Sequence, residues 1–231
     1  MMKRPSLTLS FVIGGVALGG SAYAQDLQQK MAAAQQAAAQ NQQALHGYSW
    51  LETTKMSFKG EVKSTKVEQC RYGPDGKVQK TVVEAPPPPE KKRGLRGRVV
   101  EKKTEEIKTD VGSASALVHQ YVPPDPGMMK AAMAGGRGTL GMAAPGAVAL
   151  KFTNYLKDGD AMTLMFDQAV KALGQISVDS WMDDPTNRVT LQVAFQGLPD
   201  GTRYPAVSTL GVPSSQVSIE ISNTNYQKVA P

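Results

Sequence analysis

Cysteine is nearly absent: Cys70 stands alone in 231 residues. No internal disulfide can form, so the fold has to rest on packing. Cys70 itself reads as an inert core thiol in a strand-like stretch ending at Tyr72. Histidine is almost as scarce, with His46 and His119 the only two. With Cys70 they lie far apart in no ligand spacing, which disfavours a metal site. No Gly-x-Ser-x-Gly is present and neither histidine sits in a recognisable nucleophile–base context. No catalytic residue, metal or cofactor is therefore expected, and the chain reads as a non-enzyme. The acidic pairs Asp158/Asp160 and Asp183/Asp184 fall where hairpin turns already favour aspartate, so they read as turn chemistry before calcium ligands. After the N-terminal apolar run no segment approaches about 18 consecutive apolar residues, so no stable membrane anchor is expected.

What is present begins with an export signal. Lys3 and Arg4 precede an apolar run from Leu7 to Gly20, and Ala22-Tyr23-Ala24 supplies the small-x-small pattern of a cleavage site. Cleavage after Ala24 and a periplasmic location are expected. Removing residues 1–24 takes away two cations and no anion, lowering the formal charge from +6 to +4. Much of the remaining excess lies in Lys91, Lys92, Arg93, Arg96, Arg98, Lys102 and Lys103. Export makes nucleic acid an improbable partner. The run reads either as a solvated loop or as a contact for an anionic surface or an envelope protein.

Periodicity divides the rest. Residues 25–46 are rich in Ala and Gln, with Leu27, Met31, Ala34, Ala38 and Leu45 at helical spacing, which predicts an amphipathic helix. From Tyr48 the period drops to two: Tyr48, Trp50, Met56 and Phe58 share one face. Gly60 and the Gly73-Pro74-Asp75-Gly76 turn delimit a three-stranded opening. A Pro-rich basic loop is expected over 85–98, a helix over Val99–Tyr121, and a second helix capped by Asp125 with Pro126 at its first position. Residues 135–146 carry five glycines and a proline and read as a Gly-rich loop. The glycine spacing from Gly136 to Gly141 matches a dinucleotide loop, but no strand feeds it and Pro145 follows, so that match carries no weight.

The last third is an antiparallel meander, cleanest at Val189, Leu191, Val193 and Phe195, with turns at 157–160, 183–187 and 198–201. The domain is taken as 47–226, followed by a tail over 227–231. The fold class is α+β: a large curved antiparallel sheet of about nine strands, a half-barrel, covered by helices on one face. Trp50, Phe58, Phe152, Phe166, Trp181 and Phe195, with the methionines, supply much bulky apolar surface. They read either as ordinary core beneath the helices or as the lining of a hydrophobic cavity for an acyl chain.

The order of elements, opening at Tyr48-Ser49-Trp50 and ending in a long meander, resembles the periplasmic half-barrel superfamily that includes the lipoprotein carrier LolA, the outer-membrane receptor LolB and the sensor RseB. The phrases Tyr72-Gly73-Pro74-Asp75-Gly76-Lys77 and Leu198-Pro199-Asp200-Gly201-Thr202-Arg203-Tyr204-Pro205 look like those of exported bacterial proteins of this shape. The resemblance covers about two-thirds of the chain and carries no functional residue across. It implies an incomplete barrel closed by helices over a cavity that holds lipid or lipoprotein acyl chains, without catalysis. The expected partners are thus a lipid or lipoprotein ligand, or an envelope protein. Two other readings stand beside it: a protein-interaction or stress-sensing module with no ligand, and an envelope hydrolase.

Overall fold

A computed structural model describes residues 36–84 and 95–229, with the backbone alone for 95–101. The expected signal peptide, the first part of the 25–46 helix, the cations Lys91, Lys92 and Arg93, and residues 230–231 lie outside the described residues. The chain divides after Gln40. The described residues of the first unit, 36–40, are helical, as are 41–45 at the start of the second. Everything that follows concerns the second unit.

Among the described residues ten strands form one antiparallel sheet. They are β1 (Tyr48–Phe58), β2 (Glu61–Tyr72), β3 (Val78–Glu84), β4 (Gly138–Ala144), β5 (Ala147–Thr153), β6 (Ala161–Asp167), β7 (Ala172–Trp181), β8 (Arg188–Gly197), β9 (Arg203–Val212) and β10 (Val217–Lys228). Their order in space is β3-β2-β1-β10-β9-β8-β7-β6-β5-β4, an open sheet in which the first and last strands pair with each other, third and fourth in the order. The architecture is the expected α+β half-barrel type. Two helices, α1 (Leu95–Val118) and α2 (Pro126–Ala134), are inserted between β3 and β4, the two edges of the sheet. The chain leaves the sheet at one edge and re-enters at the other, so the insertion has to run across a face.

Local chemistry accounts for the boundaries. Lys59 and Gly60 both have positive φ, 54° and 80°, the two-residue hairpin geometry whose twist matches the strands it joins. Asp125 caps α2 as expected, accepting from the Met128 N–H at 2.7 Å. The expected loop over 85–98 ends sooner, because helix begins at Leu95 and places Arg96 and Arg98 in α1. No proline follows Pro89 until Pro123, so nothing blocks helix from that point.

The Gly-rich loop expected over 135–146 is corrected by β4. Leu140 pairs with Leu150 and Met142 with Val148, and the Pro145-Gly146 step reverses the chain with φ 79° at the glycine. Gly138 and Gly141 hide this alternation, and pairing with β5 supplies what their own propensity lacks. This is the tenth strand. At the other end β10 runs to Lys228, into the segment read as a tail.

Register lines up one apolar row across the sheet: Phe152, Met162, Val178, Leu191, Leu210, Ile219 and Met56 stand opposite one another in turn. Over β5 to β8 the row and its neighbours are dry. Phe152, Met162, Leu164, Ile176, Val178, Val189, Leu191 and Val193 are buried against Ala114 and Val118 at the end of α1, Tyr121 just beyond it and Ala132 of α2.

Candidate functional site

Three arrangements on this scaffold bear on function: a buried polar network beneath α1, an acidic and aromatic cluster at the opposite side of the sheet, and an open groove beside α1.

The network centres on Asp160, 2% exposed. Its carboxylate accepts the Tyr121 hydroxyl at 2.6 Å and the backbone N–H groups of Tyr155, Leu156 and Lys157, which builds the turn between β5 and β6. The Tyr121 and Ser180 oxygens lie 2.7 Å apart. Burial, and then the bond to Asp160, push the Tyr121 hydroxyl well above the usual tyrosine range. A phenol held this firmly protonated is a donor, not a base. Asp160 spends its lone pairs on four donors within the fold, so its work is to fix a turn and tie it to the end of α1.

The second cluster lies on β10, β1, β2 and β3. Glu52 and Glu68 stand opposite each other on β1 and β2, each 8% exposed. Two carboxylates in that position repel, and each is answered by a lysine: Lys80 lies 2.5 Å from Glu52 and Lys66 lies 2.6 Å from Glu68. Lys80 stands on β3 opposite Cys70 of β2, so its side chain crosses β2 to reach β1. Burial pulls the Lys80 ammonium down, and the bond to Glu52 more than offsets it, leaving its pKa raised. Cys70 is fully buried and burial pushes its thiol up from 9.0 to about 11, so the sulfur is inert at neutral pH. Beside it Trp50 stacks on Tyr226 at 5.4 Å and 8°, Tyr226 meets Tyr204 at 4.2 Å, and Tyr72 stacks on His46 at 4.3 Å. The Trp50 Nε1 and the Asn223 Oδ1 are buried without a hydrogen-bond partner.

The groove, about 450 Å³, is lined by Ser113, Ala116, Leu117 and Gln120 of α1 and its extension, by Leu156 and Lys157 of the β5–β6 turn, and by Met182 and Asp183 after β7. Leu117, Leu156 and Met182 are half-buried members of the fringe of the core. The groove is therefore a place where the apolar interior reaches the surface. Lys157 is already occupied: its Nζ donates to the carbonyls of Trp181 and Met182 and lies 3.9 Å from the centre of the Trp181 ring.

The six bulky residues singled out from the sequence do not converge. Phe152 is fully buried in the core, and Phe166 and Phe195 pack at its margin. Phe58 lies at the far end of β1, opposite Val217. Trp50 belongs to the aromatic stack. Trp181 follows the fully buried Ser180, so strand alternation turns it to the other face, where its Nε1 donates to the Asp158 carbonyl at 2.9 Å. None of the six lines the groove. Leu117, Leu156 and Met182 are apolar positions of three separate periodic segments, and no local pattern shows that the fold brings them to one groove. Among the described residues no group of three or more His, Cys, Asp or Glu is placed to hold a metal ion. No helix among them is long and apolar enough to cross a membrane.

No family model matches the chain, and no curated protein is significantly similar to it. Among solved structures the chain is similar to a DUF1329 family protein from Desulfovibrio piger, with a TM-score of 0.35 and 8% identity over 78% of this chain and 85% of that one. It is also similar to a domain from Vibrio parahaemolyticus described as a candidate outer membrane lipoprotein-sorting protein. There the TM-score is 0.34 and the identity 10%, over 82% of this chain and 90% of that one.

Proposed function

We propose that the protein is an exported, non-catalytic binder of a hydrophobic ligand, a lipid or the acyl chain of a lipoprotein, in the cell envelope. The groove beside α1 carries the reading. Its floor of Leu117, Leu156 and Met182 is continuous with the core, with the exposed Ala116 at its rim. An apolar chain laid there extends the packed interior and removes half-exposed surface from water, at about 25 cal/mol per Å². Its volume falls in the range of small-molecule sites. Met182 is a flexible side chain suited to accommodating chains of differing shape. The export signal at residues 1–24 supports the compartment. Binding is favoured over turnover because the buried polar network adjoining the groove is spent on itself: Asp160 accepts from Tyr121 and from the backbone N–H groups of Tyr155, Leu156 and Lys157.

The test is organic extraction and native mass spectrometry of the mature protein purified from an envelope fraction, together with titration of the fluorescent apolar probe 1-N-phenylnaphthylamine. Lipid should co-purify. Leu117→Glu and Met182→Glu should each weaken the probe roughly tenfold, since the probe would then share its site with an unpaired carboxylate. A lipid-free protein whose probe affinity is indifferent to both substitutions overturns the reading.

A further inference from the structure

The two edges of the sheet are finished differently. An edge strand exposes a row of unpaired N–H and C=O groups, and folded proteins blunt such rows with charge, proline or bulges. β3 is blunted: it carries Lys80 and Glu84, and its register slips between Val67 and Glu68 of β2. β4 has no charged residue, and everything from Leu140 to Ala144 is exposed, Leu140 at 59% and Met142 at 77%. Its single register shift lies at the turn end, between Met142 and Ala144.

The two faces at this edge differ in character. On one, Leu140 is followed inward by Leu150 and Leu164, and Met142 by Val148 and Phe166, so two apolar rows run to the edge and stop. On the other, Thr139 is followed by Lys151 and Thr163. Lys151 is exposed and makes no ion pair among the described residues. A strand added to β4 would place alternate side chains on these two surfaces.

We infer that β4 is the docking strand for an extended peptide segment of another protein, apolar at alternate positions and carrying a carboxylate on the face of Lys151. Main-chain hydrogen bonds along β4 supply affinity, and the alternation supplies specificity. A carboxylate on that face lies within reach of the Lys151 ammonium over the small Thr139 side chain. A second copy of this chain fits less well. Seven residues of β4 fall far short of the roughly 20–30 residues per partner of a standing interface, and β4 has no carboxylate to offer Lys151.

The probe is a fluorescein-labelled heptapeptide of alternating valine and threonine with the central threonine replaced by glutamate, and its counterpart with lysine there. Fluorescence anisotropy should show the glutamate peptide binding about tenfold tighter, and hydrogen exchange of amides 138–144 should slow on binding. Leu140→Lys combined with Met142→Lys should weaken it at least tenfold without moving the melting temperature, because both side chains are exposed. Lys151→Glu should reverse the preference between the two peptides. The inference is overturned by absence of binding up to millimolar peptide, by protection at 78–84 in place of 138–144, by affinity indifferent to these substitutions, or by concentration-dependent dimerisation that protects β4 without peptide. Loss of the lipid reading would leave each of these outcomes unchanged.

Discussion

The half of the sheet from β5 to β8 and the half from β10 through β1 to β3 share one continuous face, yet they solve burial by different means. The first is covered by the end of α1 and by α2 and is dry, with Phe152, Met162 and Val189 fully buried. Its one polar network is tied off within the fold. The second buries Glu52 and Glu68 against long lysines and fills its end with stacked rings. The difference teaches where cohesion resides. Apolar area stabilises the covered half in proportion to what it removes from water. The other half relies on pairing charges whose desolvation consumes much of what their attraction returns.

The sharpest way to break the comparison is to equalise the damage. Phe152→Ala deletes a ring that is fully buried between Tyr155 and the sheet. A cavity left inside the packed core cannot collapse freely, so a loss of about 3–5 kcal/mol is expected from the urea midpoint. If the loss is no larger than that from breaking the Glu52–Lys80 pair, the covered half is not the main source of stability.

Sequence periodicity found the covered half almost completely, because Val189, Leu191, Val193 and Phe195 alternate without interruption and alternation is what a half-buried strand requires. It failed at β4, where two glycines break the pattern and only pairing partners reveal it. It placed Trp181 with the wrong face by weighing bulk over parity, although its neighbours Ile176 and Val178 already fixed which positions point inward. The turn role of Asp160 was legible, but its buried partners were not, since Tyr121 lies 39 positions from Asp160 and 59 from Ser180. Glu52, by contrast, was visible: if Trp50 and Met56 share a face, so does the glutamate between them, and a carboxylate there demands a cation. That cation is Lys80, 28 positions away, and only the fold could name it.

A smaller effect tests the charged half. Lys80→Met keeps the stem of the side chain over Cys70 and removes the ammonium, leaving the Glu52 carboxylate, 8% exposed, without its partner. Because Lys80 is itself 41% exposed, water softens the penalty, and a loss of about 1–2 kcal/mol is expected in place of the 3–5 of a fully enclosed pair. Adding Glu52→Gln should recover part of it, giving a double-mutant coupling of about 1 kcal/mol. Purely additive losses would mean that the pair is held by packing and not by charge.

The smallest effect concerns the seam where the halves meet, and it is read in pH. Asp200 accepts the Tyr48 hydroxyl at 2.5 Å and the Thr202 N–H at 3.0 Å, with Lys228 at 3.3 Å, so the bond from Tyr48 first and that from Thr202 next hold its carboxyl below the usual range. A carboxylate whose folded pKa is depressed binds protons less readily than in the unfolded chain. Its contribution is therefore complete above the unfolded value near 3.9 and is lost as pH falls through the lower folded value. Thermal stability followed from pH 6 down to pH 2 should decline more steeply for the parent protein than for Asp200→Asn, and the two curves should converge at the acid end. Tyr48→Phe should also shallow the decline, since it removes the largest cause of the depression while leaving the ring beside Tyr226. Parallel curves for all three proteins would mean that the bonds from Tyr48 and Thr202 to Asp200 do not set the acid sensitivity, and the seam would then hold the halves together without help from this carboxylate.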